Sequence, residues 1–147
     1  STENGGIVPY AAGLNGRTFD EFIKVTENYE KGILPDPAHV PGTTFFLVDN
    51  KKIIGSINIR HYLNDYLLKF GGHIGYGVIA SERGKGYAKK MLRFGLNFLR
   101  DMSVKKVLLT CDKDNPASAR VILACGGVFE NEIESEKRIT QRYWISN

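Results

Sequence analysis

The run Arg83-Gly84-Lys85-Gly86-Tyr87-Ala88 sets two cations and two glycines directly ahead of an amphipathic stretch, Ala88 to Leu99. Glycine at such positions accepts positive φ and holds no side chain against an approaching group. A helix starting there turns its first, unbonded N–H groups and the positive end of its dipole outward. The chemistry expected of this turn is phosphate binding. It lacks the Gly-Lys-Ser/Thr ending of a P-loop and the later acidic residue of a G-x-G-x-x-G dinucleotide fingerprint, so a different phosphorylated ligand is indicated.

The elements around the turn place it in a larger pattern. His73 to Ile79 alternates like a strand, and Lys106 to Cys111 reads as another. Asn115-Pro116-Ala117-Ser118 then opens a further helix that stops at Gly126-Gly127. Strand, Arg-x-x-Gly-x-Ala (Arg83, Gly86, Ala88), helix, strand, Asn-x-x-Ser, helix, in that order, resembles the GNAT superfamily of acyl-CoA-dependent N-acetyltransferases over nearly all of the chain.

The resemblance implies one α+β domain over residues 1–147, an α/β/α layering of helices around a mixed, mostly antiparallel sheet with a splayed strand pair. It implies acetyl-CoA as co-substrate, no metal, and direct acetyl transfer to a primary amine in a ternary complex. By the same resemblance the pantetheine arm pairs with the main chain of Gly77, Val78 and Ile79. The Val78 N–H would stabilise the oxyanion, a contribution typically about 3–4 kcal/mol. The diphosphate would rest on Arg83, Gly84, Lys85, Gly86, Tyr87 and Ala88, with Asn115 and Ser118 adjoining the cofactor. Asn115 reads equally as a helix cap, and one side chain can do both jobs.

An ammonium has no lone pair, so acetylation needs a proton acceptor. His73 is the first candidate, because related sequences often carry a glutamate there and imidazole titrates near neutrality; the competing reading is a hydrogen-bonded structural histidine. His61, Asn64 and Asp65 cluster in Arg60-His-Tyr-Leu-Asn-Asp and are candidates, with His73, for the acceptor pocket, Asp65 also as an alternative base; the bland reading is a capped turn. Tyr76 and Trp144 read as core or pocket wall. Many relatives carry a tyrosine four residues after the serine of Asn-x-x-Ser, serving the departing thiolate, where this chain has Ile122. Water or another tyrosine such as Tyr143 would then assist, and a catalytically silent acyl-CoA-binding sensor or scaffold is the rival reading.

Composition narrows the classes. At 147 residues, 42% hydrophobic and 24% charged, the chain suits one globular core, with no run long enough to span a membrane. The net charge of +4 is scattered among 16 acidic residues, which argues against a nucleic-acid stripe. Cys111 and Cys125 are too few for a disulfide framework and imply a reducing, cytoplasmic setting. The expected partner is a small-molecule amine or a protein amino group; polyamine, antibiotic, free amino acid and protein acceptors all stay open, as does a homodimer.

Along the chain, Ser1 to Arg17 reads as loop. Thr18-Phe-Asp-Glu21 is a capping box for a helix to about Lys31, with Phe19, Phe22, Ile23 and Thr26 or Tyr29 on its inner side. Thr43 to Asp49 and Lys52 to Arg60 form a hairpin, with Gly55 marking a bulge or a close backbone approach. A helical turn is expected within Tyr62 to Phe70, and a hairpin from Val128 to Ile145 closes the chain. The family's usual first strand is not read ahead of these elements, either because it has been trimmed or because it is absent, so Thr43 to Val48 should have an open edge, or take a partner's strand.

Overall fold

The computed structural model describes residues 9–147; the expected loop before Pro9 lies outside them. The elements are α1 (Phe19–Glu30), β1 (Gly42–Asp49), β2 (Lys52–Arg60), β3 (Ile74–Val78), α2 (Tyr87–Asp101), β4 (Lys106–Asp112), α3 (Pro116–Ala124), β5 (Val128–Glu134) and β6 (Ile139–Ser146). They make two three-stranded antiparallel sheets, in the orders β1-β2-β3 and β4-β6-β5. With helices packed against them, this is the mixed architecture the sequence pattern implies.

The local causes are legible. Thr18 closes the capping box with Glu21. Asn50 and Lys51 both sit at positive φ (46° and 63°), the twist a tight hairpin requires. Beside Gly55 the β1-β2 ladder shifts register between Leu47 and Val48, and a Cβ on Gly55 would stand 2.5 Å from the Gly77 carbonyl oxygen. Both readings of Gly55 are therefore realised together. α2 buries Met91, Leu92, Gly95, Leu96 and Leu99, and at Gly95 it comes so close to the sheet that a Cβ would meet Ile57 at 2.9 Å. Those contacts fix the helix over β2 and β3. The expectation for α1 needs correction: only Phe22 is buried, packed on Phe46, while Phe19 is 66% exposed and Ile23 39%. The helix touches the sheet along too narrow a stripe to cover all three.

The feature that matters for function is the junction of the two sheets. The π-helical turn Leu67–Gly71 hands the chain to Gly72, whose φ of +65° and position against the Leu108 carbonyl (2.5 Å from an added Cβ) suit glycine alone. His73 then donates its N–H to the Leu108 oxygen (2.8 Å), and its Nδ1 accepts the Leu108 N–H (2.9 Å). Beyond that point no main-chain bond joins β3 to β4 among the described residues. The strands are pinned at one end and part at the other. β1 pairs only with β2, so its outer edge carries no strand among the described residues, as expected.

Candidate active site

The parting of β3 from β4 exposes a definite set of main-chain groups. Ile79 donates its N–H to the Ile54 carbonyl (2.9 Å) and accepts from Glu82 N–H (3.0 Å), so both its main-chain groups already have partners within the fold. Ladder groups alternate between the two sides of a strand. Ile79 N–H faces β2, and the Gly77 carbonyl lies against Gly55 of β2. The Val78 N–H must therefore face the gap. Of the three residues expected to pair with the cofactor, Val78 alone presents its N–H there, and its carbonyl accepts Arg83 Nε at 3.2 Å. Arg83 thus turns back to fix the loop against β3.

A short helical turn, Ala80–Glu82, leads into the glycine turn. Gly84 and Gly86 stand at φ +77° and +83°, and a Cβ on either would meet nothing within 4 Å. Gly86 is the N-cap of α2 and offers no side chain to its first-turn amides. The result is an uncapped helix start facing open space, the arrangement that suits an anion. Lys85 donates to Glu82 at 2.8 Å, and Lys52 lies 3.8 Å from the same carboxyl group. These contacts, Lys85 first, hold Glu82 below the usual carboxylate range and Lys85 above the usual amine range. In this structure Lys85 serves Glu82, and only a swing of its side chain brings it to a ligand. Tyr87 and Ala88 pack partly into the core and can offer their amides alone.

On the far wall, Asn115 Oδ1 accepts Ser118 N–H at 3.2 Å, which realises the cap reading. The Ser118 hydroxyl lies 3.1 Å from the Tyr76 hydroxyl, so the phenol of β3 reaches α3 across the gap. Burial raises the Tyr76 pKa despite the serine contact. Ile122 is fully buried against Gly127 and offers no hydroxyl. Tyr143 spends its hydroxyl on Gln141 (3.0 Å). Burial also pushes the Cys111 thiol up to about 11 and raises Cys125, which keeps both protonated and poor as nucleophiles.

The histidine expectation is corrected by geometry. His73 is 5% exposed, its Nδ1 lone pair already holds the Leu108 amide, and burial followed by the nearby Arg60 lowers its pKa to about 4. A nitrogen so engaged cannot accept an amine's proton without releasing β4. His61 pairs with Thr43 Oγ1 (2.9 Å), with its pKa lowered chiefly by burial. Asn64 donates to the Ala38 carbonyl and accepts Leu67 N–H, and Asp65 is exposed. Of the four expected pocket residues only Asn64 lines the adjacent cavity, about 570 Å³ between α1, the Ala38–Val40 loop and one face of β1-β2. That cavity instead receives Thr44, Asn58 and Arg60, which the sequence reading passed over. Their signal was in the strand: in Ser56-Ile-Asn-Ile-Arg60 the isoleucines face α2 and the polar residues face away. Among the described residues there is no group of three or more His, Cys, Asp or Glu placed to hold a metal, and no helix long and apolar enough to cross a membrane.

Comparison with known proteins adds the following. A family model described as an acetyltransferase (GNAT) domain matches residues 19–128. A mutant of spermidine N-acetyltransferase SpeG from Vibrio cholerae is 21% identical, with 88% of this chain and 78% of that chain covered and a TM-score of 0.61. SpeG in complex with CoA and spermine is 22% identical over 85% of this chain and 75% of that one, at 0.59. Ribosomal-protein-S5-alanine acetyltransferase from Vibrio fischeri is 18% identical over 87% and 69%, at 0.67. At these identities the likeness is one of fold. No curated protein sequence matches.

Proposed function

The chain belongs to the acetyltransferase (GNAT) domain family, and from that premise we propose that it moves an acetyl group from acetyl-CoA to a primary amine by direct attack. The observation that carries the reading is the coincidence of an unpaired strand edge at Val78 with the uncapped, two-glycine start of α2. A long cofactor with a diphosphate at one end and an amide-bearing arm at the other matches both. Acetyl-CoA would supply an acetyl group activated as a thioester.

The residues divide the work by position. Amides of the glycine turn and the first helical residues, Lys85 to Ala88, would hold the diphosphate, and the Val78 N–H would donate to the thioester carbonyl oxygen as it gains negative charge. The attacking amine would lose its proton to solvent, because His73 is committed to Leu108 and Asp65 lies outside the cavity lining. As the new C–N bond forms and the C–S bond breaks, the thiolate needs a proton. Tyr76, kept protonated by burial and standing on the wall of the gap, takes the part for which Ile122 has no hydroxyl. The raised cysteine pKa values favour this single-step transfer over an acetylated thiol.

Release of free thiol from acetyl-CoA, followed across a panel of amines, tests the proposal. Amine-dependent thiol release supports it; tight CoA binding with no release for any amine would leave the silent sensor or scaffold reading, which the absent tyrosine favours. For Tyr76→Phe we expect kcat to fall about 10- to 100-fold with KM for acetyl-CoA little changed. An unchanged kcat would remove the phenol from the proton path.

A further inference from the structure

The cavity on the Asn58 and Arg60 face carries a charge pattern that bears on the acceptor. Arg17, Arg60 and His39 line it, and no aspartate or glutamate does so among the described residues. Arg60 is the telling member. Burial dominates its environment and acts against its charge, with only Tyr66 opposing. Among the described residues its side chain makes one hydrogen bond, Nη1 to the Gly71 carbonyl at 3.2 Å, and no carboxylate lies within salt-bridge distance. Arg142, which is buried, by contrast donates to the Glu130 carboxylate, Asn131 and the Leu68 carbonyl. A desolvated guanidinium without a counter-charge is costly unless something anionic completes it.

We propose that this cavity takes a small acceptor bearing an anionic group, carboxylate or phosphate, which Arg60 and Arg17 bind while its amine is presented to the gap. The inference rests on the acetyl-transfer reading and narrows it: a polycationic acceptor is disfavoured here, since its extra ammonium groups would meet arginine. Guanidinium matches both anions by its paired N–H groups, and a volume of about 570 Å³ is that of a small-molecule site, too small for a folded partner's surface. The face is the one shared by Gly75, which abuts the Arg60 guanidinium, and by Gly77 next to Val78. The anion site therefore lies on the Gly75–Gly77 face of β3, beside the gap that the Val78 N–H faces.

The test is a titration of the full chain followed by NMR of the arginine Nε–H groups, with 4-aminobutyrate, 3-aminopropylphosphonate, butylamine and 1,4-diaminobutane as probes. CoA is titrated into a parallel sample while the Gly84–Ala88 amides are followed. Saturable shifts of the Arg60 signal by either acidic probe, and affinity at least about tenfold weaker for butylamine and the diamine, are expected. The carboxylate and phosphonate arms tell the two anion types apart. Arg60→Gln should abolish the preference, and Arg17→Gln, which leaves the cavity floor intact, should weaken it. No response to either acid, or an equal or stronger response to the diamine, overturns the anionic assignment. CoA-dependent shifts at Gly84–Ala88 in the same preparation show that the acetyl-CoA reading survives such a failure; their absence counts against that reading instead.

Discussion

Gly86→Val is expected to weaken CoA binding about 100-fold, or roughly 2.8 kcal/mol, while leaving a folded protein. Gly86 sits at φ +83° at the cap of α2, where a non-glycine residue costs about 1–2 kcal/mol of backbone strain. The added side chain meets no protein atom within 4 Å at its Cβ, so the free protein suffers only that strain. The ligand suffers more. The branched side chain would occupy the space in front of the first-turn amides, and any relief of the strain would rotate those amides away from the diphosphate. Calorimetric titration with CoA measures the affinity, and a thermal melt checks the fold. Wild-type affinity in this variant would place the diphosphate elsewhere.

His73→Ala is expected to act on stability rather than on chemistry. The substitution removes the acceptor for the Leu108 N–H, a group buried at the one place where β3 and β4 are joined. An unsatisfied buried amide together with the vacated ring volume costs about 3 kcal/mol. The pH dependence gives a second, independent sign. Imidazole titrates near 6.5 in an unfolded chain and near 4 here, so between those values the unfolded state binds more protons. The wild type should therefore hold its full His73 contribution above about pH 6.5 and lose it progressively as pH falls towards 4. Urea unfolding of both proteins from pH 4.5 to 7.5 should show their difference in stability shrinking at the acid end. If the variant is as stable as wild type yet loses kcat/KM with a changed profile between pH 6 and 9, His73 is the base after all.

The order of elements and the phosphate turn were legible because local rules write them. Capping at Thr18 and Asn115, the Asn50-Lys51 turn and the α2 stripe each depend on residues within a few positions of one another. What the sequence could not show depends on pairing across the fold. Whether Ile79 or Val78 offers a free N–H is decided by the β2-β3 register, in which Gly55 stands opposite Val78 and Ile79 donates to Ile54. His73 looked like a base because its partner, the Leu108 amide, lies 35 residues away. Tyr76 meets Ser118 over a still longer separation. Arg60 was the nearest miss, since the alternation of β2 already set it beside Asn58 and away from the isoleucines. Its lack of a carboxylate partner emerges only once the loops closing the cavity are in place.

The central claim is that the start of α2 and the free edge of β3 together receive one CoA molecule. Amide-resolved NMR of the chain titrated with CoA tests it most directly. The account predicts concerted, saturable shifts at Gly84 to Ala88 and at Val78, with Ile79 still protected by Ile54. Shifts confined to scattered surface lysines, or none at Val78, would contradict it.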